Sequence, residues 1–201
     1  MKVLYIDTET TGTDHRTHDV IQVAGLIEID GQVRDEFMFR CQPFDFAAVD
    51  PKALEVNGTT KEALATYPEP DIAYSAMTAI WAKYVSKFNR ADKFTPAGYN
   101  VGFDLDFLAS FFVKNGDNYF GSWQNWRAID PLAMVRILQH KGLIDLPDHR
   151  LGTLCAHFGI PLKAHDALAD IRATRELLLL LEREYLAEAS TVVSGFAKVP
   201  A

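Results

Sequence analysis

The chain has 201 residues, a formal net charge of −7, and 48% hydrophobic against 23% charged residues. Those proportions describe one globular domain with a sizeable core and exclude a disordered or fibrous chain. The acidic balance argues against a broad basic face of the kind that grips a long duplex. The N-terminal apolar run, Val3 to Ile6, stops at Asp7. That is too short for a signal peptide, and no segment is apolar for long enough to cross a bilayer. Cys41 and Cys155 give no disulfide framework and read as reduced thiols, so a cytoplasmic location with no membrane partner is expected.

Taken in chain order, Lys2 to Ile6 reads as a strand, apolar on both faces and therefore central and covered on both sides. Val20 to Asp30 carries Ile21, Val23, Ile27 and Ile29 on one face. Asp30-Gly31 is a hairpin signal, and Val33, Phe37 and Phe39 mark the returning strand. Residues 41–58 read as an irregular connection, and Thr59 with Glu62 as the capping box of a short helix. Asp71 is expected to open a helix reaching about Arg90. Phe94 to Tyr99 forms a fourth strand, placed at an edge by Pro96, and Arg127 to Asp130 a short fifth. Phe103, Phe107 and Phe111 recur at i, i+4 and i+8, the core face of a helix that stops at Asn115-Gly116. Asp130-Pro131 caps a helix ending at Gly142, and another runs from Leu151 to Gly159. The longest helix spans about 166–186 and includes the five leucines Leu177 to Leu181. Three antiparallel strands followed by alternating helices and strands imply an α/β sheet with helices on both sides. Residues 1–188 form the expected single domain, with 189–201 a loose tail.

Against this frame four acids stand where a core would place none. Asp7 and Glu9, two apart at the end of a strand, point the same way and oppose each other's ionisation unless a cation lies between them. Asp104 sits beside the start of the phenylalanine stripe, whereas Asp106 faces solvent. Asp170 lies more than a turn inside the long helix, costly there unless paired or metal-bound. His165 stands at that helix's mouth, and Asp166 reads as a first-turn acid favoured by the helix dipole.

With these residues the chain resembles the DnaQ-like, DEDD superfamily of 3′–5′ exonucleases over residues 2–186. Asp7-Thr8-Glu9-Thr10-Thr11-Gly12 matches its first motif and Asn100-Val101-Gly102-Phe103-Asp104 its second. His165-Asp166-Ala167-Leu168-Ala169-Asp170 matches its third in the histidine (DEDDh) form. Tyr99, and Val101 with Gly102, depart from the usual second motif without touching a ligand position. The resemblance implies an RNase H-like fold, a mixed five-stranded sheet flanked by helices.

The resemblance also implies two divalent ions, Mg²⁺ or Mn²⁺, the kind that carboxylate oxygens suit. Asp7, Glu9 and Asp170 would hold the ion carrying the attacking water. Asp7 would bridge to the second ion, and Asp104 would bind that one directly or through water. His165 would be the general base, since an imidazole titrates near neutrality. Thr10, Thr11, Gly12, Asn57, Gly58 and Asn100 are the expected substrate contacts.

Two such ions would bring −7 to −3, which suits a short single-stranded 3′ end. Arg127, Arg136, Lys141, Arg150, Lys163, Arg172 and Arg175 read mostly as solvated helix surface. Trp123 and Trp126 read as a lid over the core in preference to base-stacking platforms. The function expected is metal-dependent removal of nucleoside 5′-monophosphates from single-stranded DNA, with a DNA polymerase as a conceivable partner. The alternatives are the same chemistry on RNA, as in oligoribonuclease and ribonuclease T, and a non-catalytic polymerase-associated scaffold. The intact acid set disfavours the last.

Overall fold

The computed structural model describes residues 1–162 and 166–186. The tail expected at 189–201 and the whole of segment 163–165, with His165, lie outside the described residues.

Four strands form a mixed sheet in the order β3-β2-β1-β4: β1 (Lys2–Thr10), β2 (Val20–Ile29), β3 (Gln32–Arg40) and β4 (Thr95–Ala97). The first three are antiparallel and β4 runs parallel to β1. Asp30 and Gly31 close the β2–β3 hairpin with φ of 52° and 80°, and Ile29 pairs with Gln32 across the two-residue loop. This is the left-handed turn that an Asp-Gly pair supplies.

Alternation along β1 divides the core in two. Leu4 and Ile6 pack with Val23, Ile27 and the helices α3 (Pro70–Trp81) and α4 (Gly102–Lys114), through Met77, Trp81, Phe107, Phe111 and Phe112. Val3 and Tyr5 pack on the opposite face with Ala24, Leu26 and α7 (Ala167–Leu181), through Ala167, Ile171 and Leu178. The helices α5 (Pro131–His140) and α6 (Leu151–Phe158) extend that layer around Leu154, Leu177 and Leu181. Helices therefore cover both faces, as the sequence leads one to expect.

Several boundaries differ. β1 runs to Thr10 instead of ending at Ile6, because β2 continues to pair with it through Glu9↔Gln22 and Thr10↔Val20. The supposedly irregular stretch 41–58 contains helix α1 (Pro51–Val56), capped by Asp50, whose carboxylate accepts from the Lys52 amide at 2.9 Å. The short helix α2 (Lys61–Leu64) takes Thr60 as its cap, one residue later than expected. α3 starts at Pro70 and stops at Trp81, well before Arg90. Beyond it the backbone bonds elsewhere: the Tyr84 carbonyl accepts from Lys2 Nζ at 2.6 Å, and the Ser86 amide donates to Asp92 at 3.0 Å.

The fifth strand is absent among the described residues. Ile129 makes only an isolated bridge to Ala97, with its amide on the Pro96 carbonyl at 2.8 Å. Extending that ladder would require an amide proton at Pro96, and the Phe94 carbonyl is already taken by Asn125 at 2.8 Å. α7 is regular to Leu181, and Glu182–Leu186 continues it as a wider turn. Trp123 is buried as expected, but Trp126 is 83% exposed and is no lid over the core.

No helix among the described residues is long and apolar enough to cross a membrane.

Candidate active site

The alternation that sorts the core also aims the acids. Asp7 and Glu9 share the parity of Val3 and Tyr5, so they lie on the face that carries α7. Thr8 shares the parity of Leu4 and Ile6, so it turns to α4. Asp104 occupies the first turn of α4 and is 4% exposed. Its Oδ1 accepts both the Thr8 amide and the Thr8 hydroxyl, each at 2.8 Å. Asp170 occupies the first turn of α7, not the more interior position expected, because the helix begins at Ala167; its cap is Asp166, accepting from the Ala169 amide at 3.3 Å. Asp166 is thus a structural cap just outside the helix, not the first-turn acid read from sequence.

Two close approaches make this convergence possible. At Gly98, just past β4, a Cβ would lie 2.8 Å from the Ile6 carbonyl oxygen and 2.9 Å from Val101 Cγ2. Only a glycine lets the chain pass β1 there without a shift. Asn100 then adopts φ 56°, a left-handed conformation that asparagine tolerates, and its amide donates to Asp130 at 3.1 Å. That turn starts α4 with Asp104 beside β1.

The four acids act as one electrostatic unit. Burial raises the Asp7 carboxyl well above its ordinary 3.8, and the charges of Asp104, Glu9 and Asp170 raise it further, in that order. Burial lifts Asp104 to about 7, opposed by the two Thr8 hydrogen bonds and reinforced by Glu9. Among the described residues no three Asp, Glu, His or Cys side chains are gathered tightly enough to hold an ion as they stand. Their chemistry nevertheless fits a hard divalent cation: the donors are all carboxylate oxygens, from three separate elements, and their mutual repulsion is what a cation would relieve.

Of the expected substrate contacts, Thr10, Gly12, Asn57 and Gly58 border hollows beside Glu9, whereas Thr11 and Asn100 line neither. Asn57 closes α1 and its Nδ2 donates to the Thr10 carbonyl at 2.9 Å, so the loop Asn57-Gly58 lies against the end of β1. A groove of about 390 Å³ runs between them, lined by Glu9, Thr10, Gly12, Val56, Asn57 and Phe103. Gly58 instead borders a neighbouring hollow of about 270 Å³, which also contains Glu9 and Arg40. Thr11 and Gly12 also have structural duties. Thr11 is fully buried and exchanges hydrogen bonds with Asp19, which pairs with Lys114 of α4 at 2.6 Å. A Cβ at Gly12 would meet the His18 ring at 2.4 Å. Asn100 is exposed and holds the turn described above.

Thr8, Gly98, Phe103 and Arg40 were not among the site residues expected from sequence. Thr8 carried a usable signal, namely its opposite strand parity between two acids. Gly98 and Arg40 carried none, because their partners lie far away in sequence. Phe103 belongs to the core stripe and borders the groove as well.

Solved structures share this architecture. E. coli exonuclease I in complex with a dT13 oligonucleotide superposes with a TM-score of 0.77 over 96% of this chain and 43% of that one, at 23% identity. The common fold is RNase H-like. In sequence, the exonuclease family of the RNase T type matches residues 4–178. Among curated relatives, the PolC-type DNA polymerase III of Halalkalibacterium halodurans is 30% identical over 86% of this chain and 11% of its own length. Exodeoxyribonuclease I of E. coli is 28% identical over 89% of this chain and 39% of its own length. Ribonuclease T of Photorhabdus laumondii is 27% identical over 86% of this chain and 79% of its own length. The chain therefore belongs to this exonuclease family, in its DnaQ-like branch. It spans only a small part of the PolC-type polymerases and well under half of exodeoxyribonuclease I.

Proposed function

We propose that this chain is a divalent-metal-dependent 3′–5′ exonuclease that hydrolyses single-stranded DNA from its 3′ end and releases nucleoside 5′-monophosphates. The observation that carries the reading is the electrostatic unit of Asp7, Glu9, Asp104 and Asp170, four carboxylates brought from three elements to one end of β1. A phosphodiester is an anion, and such a site repels it unless cations intervene. Asp7, Glu9 and Asp170 would hold one Mg²⁺ or Mn²⁺, and Asp7 with Asp104 a second. Bound there, the ions would neutralise the phosphate and lower the cost of the charge that develops on the attacking and leaving oxygens.

The protein's own groups do the rest. His165 takes a proton from the attacking water, a role open to an imidazole at neutral pH. Water oxygen bonds to phosphorus and the bond to the 3′ oxygen of the preceding nucleotide breaks. Asn57 and Thr10 fix one wall of the groove, and Phe103 and Val56 offer an apolar surface to the terminal base.

The single-stranded DNA reading is supported by the relative named exodeoxyribonuclease I and by the dT13 complex of its fold neighbour. The ribonuclease T relative, matched over 79% of its length, favours RNA as the second reading. The relatives named PolC-type polymerases make a polymerase partner part of the same proposal, with the cytoplasm as the compartment.

The deciding experiment uses 5′-labelled single-stranded DNA and RNA of one sequence, with Mn²⁺ or Mg²⁺ and with chelator. Shortening from the 3′ end that chelator abolishes supports the exonuclease, and the faster sugar chooses between the two readings. No cleavage of either by folded, metal-loaded protein overturns it.

A further inference from the structure

Thr8 stands between two acids of the site, on the other face of the strand. Its side chain is buried, and it spends both its backbone amide and its hydroxyl on one atom, Asp104 Oδ1. The Asp104 side chain has two rotatable bonds and sits in a helix, whereas the acids Asp7 and Glu9 sit on a strand. Nothing in backbone geometry alone fixes that carboxylate relative to β1. Two donors from one residue do: the amide sets the distance between α4 and β1, and the hydroxyl sets the carboxylate's rotation. Both bonds fall on Oδ1, which leaves Oδ2 as the oxygen with capacity for a cation.

We propose that the Thr8 hydroxyl is a positioning residue that holds Asp104 in the orientation needed to bind a divalent ion. The inference rests on the exonuclease reading for its biological meaning, but it concerns ion binding and can be measured without catalysis. A β-branched residue suits the strand, so valine would satisfy packing as well as threonine does. Only threonine or serine adds a donor here. A carboxylate held by the amide alone would keep more rotational freedom and lose more entropy on taking up an ion.

The test compares wild type with Thr8→Val and Thr8→Ser in the full chain. Mn²⁺ binding to chelator-treated protein is followed by calorimetry, and cleavage of a single-stranded oligonucleotide is followed against Mg²⁺ concentration. Valine is nearly isosteric and keeps the backbone amide, so the chelated variant should unfold within a few degrees of wild type. Its affinity for the more weakly held ion should fall by about tenfold, the scale of one hydrogen bond to a charged group. The Mg²⁺ concentration for half-maximal rate should rise in parallel, with the rate at saturating metal much less affected. Thr8→Ser should recover most of the loss. Equal ion affinity in wild type and Thr8→Val, or a serine variant as impaired as the valine one, overturns the proposal. If Thr8→Val does not fold, Thr8→Ala beside Thr8→Ser gives the same contrast. Wild type that binds no Mn²⁺ and cleaves nothing sinks the exonuclease reading. Wild type that binds and cleaves, with Thr8→Val unchanged, sinks only the role of Thr8.

Discussion

Burial and three neighbouring carboxylates act together on Asp7, and every one of these influences favours its protonated form. Removing a carboxylate from such a unit relieves repulsion while deleting an ion ligand. Asp7→Ala should therefore lower cleavage by on the order of a thousandfold, about 4 kcal/mol of transition-state stabilisation, in a protein whose circular dichroism is unchanged. Full activity of that variant would refute the site.

Asp104 gives a pH signature. Its folded-state carboxyl lies at about 7 against an ordinary 3.8, so the folded state binds the extra proton. The resulting stabilisation is complete below about pH 3.8 and disappears as the pH rises through about 7. Asp104→Asn keeps an acceptor for both Thr8 donors but cannot ionise. In chelator it should melt several degrees above wild type at pH 8, with the gap narrowing toward pH 5. A gap that stays constant across that range would show that the charge of Asp104 is not the cause.

At the scale of elements, the site depends on how closely β4 and the start of α4 approach β1. Gly98 is the contact that permits it, with no room for a Cβ against the Ile6 carbonyl and Val101. Gly98→Ala should destabilise the fold by roughly 1–3 kcal/mol, as overpacking does. It should also weaken metal binding, because the strain acts between the elements bearing Asp7 and Asp104. Denaturant unfolding together with Mn²⁺ titration checks both, and a stable variant with wild-type affinity would refute the argument. The loop 11–19 is held on the same α4 by the Lys114–Asp19 pair, in which the Asp19 side chain is 1% exposed. The groove's two walls are thus tied to one helix and one strand.

At the scale of the whole molecule, the net charge of −7 sets the terms of substrate binding. Arg172 and Arg175 are engaged by Glu36 and Glu28 along the sheet's β2–β3 side, and Arg150 lies near Asp148. Arg172 and Arg150 are exposed, in keeping with their reading as surface, whereas Arg175 is a partly buried partner of Glu28. Lys163 lies outside the described residues. Oligonucleotide binding should accordingly be weak in chelator and should strengthen at least about tenfold on adding a divalent ion, with only a shallow dependence on monovalent salt. Fluorescence anisotropy with an oligonucleotide of about ten nucleotides measures this. Tight binding without divalent ions and a steep salt dependence would point to a basic groove and against metal-mediated recognition.

The sequence by itself determined the residues of the acid unit, the antiparallel β1–β2–β3 order, and the cap at Asp130. These are local matters of side-chain period, turn chemistry and helix starts. It did not determine where elements stop when distant groups decide. The end of α3 depends on Lys2 and Asp92, and the missing fifth strand on the lack of an amide proton at Pro96 within a parallel pair. Helix α1 was legible in principle, since Asp50-Pro51 repeats the cap signal read at Asp130-Pro131. Only the tertiary structure decided that Thr8 faces Asp104, that Gly98 must be small and that Phe103 borders a groove. Each of these is a contact between segments far apart in sequence, and no local pattern encodes the distance between them.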